Sequence, residues 1–277
     1  MAEPVRIEGA DPPRGAARGA WRLRLAADAG RETLLRLVES AARRGERLGR
    51  VVELGGTAVY LKGSPLTGRA RARHGLRRAA GRPLPRLAEF ENLEWLRARG
   101  FAAPRPLAAG SLEGRLGPRW QFLATELVEG APPLDAVLER DPGRARELYR
   151  LAVRLAAGLH AVGFVHRDLY PRNLLVREGA DGPRLVVLDA WRGGARRQLR
   201  GPAHDLGCLL LRAPDRLSTD DTEDLLAAYA AEREARGSPV RERDLRGAVD
   251  RARERERRRL LRDPARLRGL PPPPRAW

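Results

Sequence analysis

Between Arg31 and Arg43 apolar side chains recur every three or four positions, at Leu34, Leu37, Val38 and Ala41, and the period predicts a short amphipathic helix. The period then shortens. From Val51 to Lys62 two β-rich runs flank Gly55-Gly56, the pattern of a hairpin with a tight turn, and Lys62 falls near the end of its second strand. Between Gly63 and Arg86 arginines crowd the chain and Gly and Pro interrupt it, so a solvated basic loop is expected there. Helical spacing resumes from Leu87 to Arg99, with Glu89, Leu93 and Leu96 on one face, until Gly100 and the Pro104-Arg-Pro106 segment stop it. Two strands follow, around 106–113 and 120–127, on either side of a Gly-rich turn.

The second half of the chain reads as mostly helical. Prolines 132 and 133 start a short helix, and a longer one over 143–162 carries Leu148, Leu151, Leu155 and Leu159 along one stripe. A further hairpin is expected from Leu174 to Arg177 and Leu185 to Leu188, around E-G-A-D-G-P. Asp205 opens an apolar helix, S-T-D-D caps another over 219–235, and Arg and Glu alternate through a last helix over about 241–262. Residues 1–20, rich in Pro, Gly, Ala and Arg, read as a flexible leader, and 263–277 as a Pro-rich tail.

Composition narrows the setting. The chain has 277 residues and 42% hydrophobic content, enough to bury a full core. Its formal charge of +18 favours anionic partners: phosphates, nucleic acid or an acidic membrane surface. Lys62 is the single lysine, every other basic residue being arginine. A coding bias that strong makes the one retained lysine a candidate for a role that needs a compact ammonium on a flexible stem. One cysteine, Cys208, excludes an internal disulfide, and the four histidines give no zinc-type spacing. With no run of about 18 apolar residues and no signal-peptide core, a cytoplasmic protein is expected.

Candidate chemistry concentrates in Val165 to Val176, V-H-R-D-L-Y-P-R-N-L-L-V. His166, Arg167, Asp168 and Asn173 reproduce the H-R-D-x-x-x-x-N spacing of a kinase catalytic loop. That spacing allows Asp168 to accept the proton of an attacking hydroxyl, while the Asn173 amide oxygen reaches a magnesium ion on nucleotide phosphates. Asp189, ending the second hairpin, supplies the second hard oxygen ligand that such an ion requires. The residues after it are Ala190 and Trp191, so a D-F-G motif is reduced to its metal-binding member. Lys62 in V-Y-L-K has the strand context of a phosphate-contacting lysine, and Glu89, on a buried-facing stripe, is its expected ion-pair partner. No G-x-G-x-x-G precedes the hairpin; Gly45 and Gly49 alone offer a phosphate-covering loop. Thr125-Glu126 would lead to a linker whose backbone can bond an adenine edge. His160 reads as a packed, hydrogen-bonded helix-end histidine, and Asp205 as a cap or as the holder of the catalytic loop's backbone.

In this order, Lys62, Glu89, Thr125-Glu126, Leu159-His160, H-R-D-L-Y with Asn173, Asp189 and Asp205 resemble the lipopolysaccharide core kinases, the Kdo/WaaP family of the protein-kinase-like superfamily, over roughly residues 50–235. The resemblance implies an α+β, two-lobed protein-kinase-like fold with a small, mainly β lobe over 21–126 and a larger helical lobe over 127–262. It implies ATP with Mg2+, and γ-phosphoryl transfer to a sugar hydroxyl of the lipopolysaccharide core at the inner face of the cytoplasmic membrane. Asp168 would be the base, Asn173 and Asp189 the metal ligands, and Lys62, held by Glu89, the phosphate contact, with Glu126 at the nucleotide. The expected partners are a nucleotide, a sugar or glycolipid acceptor and, peripherally, an anionic membrane; nucleic acid is not expected. Only sixteen positions separate Asp189 from Asp205, with no A-P-E between them, which leaves little room for a peptide-docking platform. A protein kinase and an antibiotic-type phosphotransferase remain the enzymatic alternatives, and a non-catalytic basic scaffold the third.

Overall fold

The computed structural model describes residues 21–25, 30–114, 117–195 and 200–262. The leader 1–20 and the tail 263–277 expected from composition lie outside the described residues. The chain divides into two compact units at Glu129/Gly130.

The first unit is built on a five-stranded antiparallel sheet of order β1-β4-β5-β3-β2, with β1 Trp21–Leu25, β2 Leu48–Leu54, β3 Thr57–Pro65, β4 Pro106–Gly114 and β5 Gly117–Glu126. Helix α1, Arg31–Arg44, lays Leu34, Val38 and Ala41 against Leu54, Val59, Leu61, Trp120 and Phe122. The fit at the centre is close. An ideal Cβ on Gly63 would stand 2.3 Å from the Trp120 ring, which is 1% exposed and donates through Nε1 to Glu46 O at 2.9 Å. Gly63→Ala is therefore expected to destabilise the protein by about 1–3 kcal/mol, the usual cost of overpacking a filled core. A lowered urea midpoint with unchanged slope would report it.

One expectation is corrected here and one strand is added. The basic stretch after Gly63 is not a loop throughout, since Gly68–Ala79 forms a helix, α2. Arg, Ala and Leu are strong helix formers, and that propensity outweighs Gly75 in its middle. His74 is buried on its inner side, where burial and Arg73 push the imidazole pKa down. Strand β1 was not anticipated, although the alternation W-R-L-R-L is a strand signal. Helix α3, Pro85–Arg97, occupies the expected place, with Pro85 at its start and Glu89, Phe90, Leu93 and Leu96 buried.

The second unit is mainly helical: α4 Leu134–Arg140, α5 Ala145–Ala161, α6 Arg200–Leu209, α7 Thr219–Ala235 and α8 Glu242–Leu261. The α5 stripe is wider than its leucines, because Ala152, Ala156 and Ala157 are buried with Leu148 and Leu159. Ser218 caps α7 with the reciprocal Ser218–Asp221 capping box. Between α5 and α6 lie two small antiparallel pairs: β6 Phe164–Val165 with β9 Gly194–Ala195, and the hairpin β7 Leu174–Arg177 with β8 Arg184–Val187. Phe164, Val165, Leu174 and Val176 are each 1% exposed or less, so both ends of the intervening segment are pinned in the core.

Candidate active site

In the second unit the site is the loop from His166 to Asn173, braced from three sides. Asp205 is fully buried within α6 and holds the loop's entry: its carboxylate accepts the N–H groups of His166 and Arg167, each at 2.6 Å. Of the two roles expected for Asp205 the structure selects the second, because the residue lies inside α6 and does not cap it. His160 Nε2 donates to the same carboxylate at 3.1 Å, and Nδ1 is hydrogen-bonded to the Tyr229 hydroxyl at 2.7 Å. Burial pushes the Tyr229 hydroxyl up to about 12, so it keeps its proton, and Arg233 donates to its oxygen at 3.0 Å. A chain of hydrogen bonds thus runs from α7 through His160 to Asp205 and the loop.

The hairpin supplies the second brace. His166 Nε2 lies 2.8 Å from Leu188 O, and since a carbonyl only accepts, the proton is on Nε2. Leu188 N–H in turn donates to Asn173 O at 2.9 Å. Leu188 therefore ties the loop's first residue to its last, and Asp189 follows directly after it.

The third brace is internal. Asn173 Nδ2 donates to Asp168 O at 2.7 Å, which commits the amide nitrogen to that carbonyl, and Tyr170 N–H donates to the same carbonyl at 2.8 Å. Among the described non-glycine residues, Arg167 (φ 65) and Asp189 (φ 57) are the two with left-handed backbone. Each such conformation costs about 1–3 kcal/mol. The strain falls beside Asp168 and at Asp189 itself, the two carboxylates that the sequence marked as functional. Asp168 is 17% exposed and lies 3.8 Å from Arg192, on the 3-10 turn after Asp189.

In the first unit a single buried carboxylate gathers two cations. Glu89, 1% exposed, accepts Lys62 Nζ on Oε1 and Arg86 Nη1 on Oε2, each at 2.7 Å. Lys62 is brought there by β3, between Gly49 on β2 and Leu123 on β5. Arg86 was not singled out from the sequence, where it was one arginine among many; its i, i+3 spacing to Glu89 on α3 was the available signal. Gly45 ends α1 with φ 65, and Gly49 is a paired strand residue opposite Lys62, so the two glycines do not form one loop. Glu126 ends β5 with its side chain exposed; its N–H donates to Arg105 O and that of Leu127 to Ala58 O, both at 2.9 Å.

The sequence model of the lipopolysaccharide kinase (Kdo/WaaP) family matches residues 32–229. Among curated proteins, a 3-deoxy-D-manno-octulosonic acid kinase of Haemophilus influenzae (strain PittEE) is 34% identical over 103 residues, 37% of this chain and 42% of that protein. The enzyme of the same name from Pasteurella multocida (strain Pm70) is 28% identical over 151 residues, 52% of this chain and 62% of that protein. The chain thus aligns with about two-fifths to three-fifths of the length of these relatives. A solved structure, WaaP in complex with acyl carrier protein, matches with a TM-score of 0.53 and 23% identity, covering 84% of this chain and 98% of the other. That likeness shows the fold, which is kinase-like and of α+β class.

Proposed function

Since the chain belongs to the lipopolysaccharide kinase (Kdo/WaaP) family, we propose that it transfers the γ-phosphoryl group of ATP, with magnesium, to a sugar hydroxyl of a lipopolysaccharide core or a related glycolipid. The observation that carries this reading is the loop itself: Asp168 and Asn173 are hydrogen-bonded together and held at both ends by Asp205 and Leu188. Phosphoryl transfer asks a protein for positioning and for charge, more than for covalent chemistry. Rigid bracing serves the first need. The attacking hydroxyl oxygen bonds to the γ-phosphorus, the bond to the β–γ bridging oxygen breaks, and the hydroxyl proton passes to the Asp168 carboxylate.

Asn173 and Asp189 carry the hard oxygen donors that suit magnesium, and because the Asn173 amide nitrogen is taken by the Asp168 carbonyl, its amide oxygen would be the ligand. When bound there, the ion would neutralise charge on the phosphate oxygens. Lys62, oriented by Glu89 with Arg86 as a second cation on that carboxylate, would meet the phosphates. The adenine edge would meet the carbonyl of Glu126, because the amides of Glu126 and Leu127 are engaged by backbone. No described helix is long and apolar enough to cross a membrane, and the charge of +18 would favour peripheral contact with an anionic, glycolipid-bearing membrane.

The test is transfer of label from γ-labelled ATP with magnesium to Kdo-bearing core oligosaccharide, to small sugars and to a peptide. Label on the oligosaccharide, stopped by chelation of magnesium, is expected. Label on the peptide alone would overturn the acceptor, and no turnover of ATP with any acceptor would overturn the activity.

A further inference from the structure

Tyr170 stands between the two functional residues of the loop and is bonded to both through its backbone. Its N–H donates to Asp168 O at 2.8 Å, and its carbonyl accepts the N–H of Asn173 at 2.9 Å. Any shift of Tyr170 therefore carries Asp168 and Asn173 with it. A cavity of about 30 Å³ adjoins its ring, lined also by Tyr149, Arg172, Cys208 and Arg212, and the Arg172 guanidinium lies 4.1 Å from the ring centroid. Beyond that contact the phenol O–H donates to Glu256 on α8 in a buried hydrogen bond, the tie that links the loop to this helix.

Glu256 is placed for this task by the way α8 approaches α6. At Gly207 an ideal Cβ would stand 2.8 Å from Ala252 Cβ and 3.0 Å from the backbone N of Arg253, so the two helices meet at a distance that only glycine permits. One turn beyond Ala252, Glu256 reaches the loop, and Arg259 balances its charge with Nη1 at 3.0 and 3.2 Å from the two carboxylate oxygens. His204 and Cys208 bring further ligand-type atoms within 4.8 Å, and in this structure the Glu256 carboxylate is engaged by the donors Tyr170 and Arg259. Burial raises the Tyr170 hydroxyl pKa, with Cys208 and Glu256 adding to the effect, so the phenol keeps its proton as donor. Helix α8 follows residue 229, where the match to the family's sequence model ends.

We infer that Glu256 is a positioning residue for phosphoryl transfer: through the Tyr170 hydroxyl it sets the place of Asp168 and Asn173, and α8 is thereby part of the active-site support. The inference rests on the phosphotransferase reading above for its catalytic consequence, and on geometry alone for its structural one.

The test compares Y170F, E256A, E256Q and the double variant Y170F/E256A in the full chain. Y170F removes one oxygen and keeps the ring, so it guards against a variant that fails only by unfolding. Y170F and E256A are expected to lower kcat by a similar factor, up to about 10²-fold for a displaced catalytic group, with KM for ATP unchanged. The double variant is expected to be no slower than either single one, and E256Q, which still accepts the hydrogen bond, to recover most of the turnover. Amide hydrogen exchange across 166–173 is expected to quicken in Y170F and E256A while that of α5 stays as it was. Losses that multiply in the double variant, or wild-type exchange in the loop of Y170F, would overturn the inference. If the unaltered protein turns over no ATP, the functional reading falls, and the exchange measurement still decides whether Glu256 positions the loop.

Discussion

Asp168→Ala is expected to lower phosphoryl transfer by about 10²–10⁴-fold, the range for loss of a general base, while the melting temperature stays close to that of the unaltered protein. Two features of the site separate these outcomes. The carboxylate is 17% exposed and its ion-pair contact with Arg192 is long, at 3.8 Å, so truncation leaves no deeply buried partner behind. The hydrogen bonds that shape the loop at this position use the Asp168 carbonyl, to Tyr170 and Asn173, and alanine keeps that carbonyl. Turnover and thermal unfolding are measured on the same preparation. Unchanged turnover removes Asp168 from the reaction; a matching collapse of stability would mean that the residue acts on the fold.

Much of the architecture was legible because the periods were clean. The helix over 31–44, the hairpins around Gly55-Gly56 and over 174–187, and α3 all follow from apolar spacing and turn residues. The pair Lys62–Glu89 could be anticipated because a carboxylate on a buried helical face requires a cation, and the chain holds a single lysine near a strand end. What escaped had physical reasons. In α2 the arginines that read as a solvated loop are good helix formers, and charge density says nothing about backbone conformation. Arg86 was hidden by the abundance of arginine, so its share of Glu89 emerges only from the 2.7 Å contact. Glu256 was hidden differently. It lies in a helix of alternating charges that reads as solvent-facing, and the close approach at Gly207–Ala252 that turns this one glutamate inward involves residues about 45 positions apart in the chain. Such a pairing has no local signature.

Asp205→Ala is expected to be the more disruptive substitution for the fold, with a loss of about 3–5 kcal/mol, the range for breaking a buried charged network by removing one partner. The reasoning is an accounting of donors. Three groups converge on this carboxylate: the backbone N–H of His166, the backbone N–H of Arg167 and the Nε2–H of His160. Alanine would leave all three without an acceptor, those of His160 and His166 in buried positions, and an unpaired buried donor costs about 1–3 kcal/mol. Arg167 adds to the effect. Its left-handed backbone, φ 65, is held in place by the bond from its own N–H, so losing the acceptor releases a strained residue next to Asp168. Asp205→Asn tests the same argument with less loss of volume. Its amide nitrogen must face at least one of the three donors, so it is expected to restore only part of the stability. The expected signature is a melting temperature lowered by on the order of 10 °C in Asp205→Ala, with Asp205→Asn between it and the unaltered protein. Turnover should fall in both at temperatures where both remain folded. A variant with full stability and slow turnover would assign Asp205 to the chemistry itself, and one with full stability and full turnover would remove it from the support of the loop.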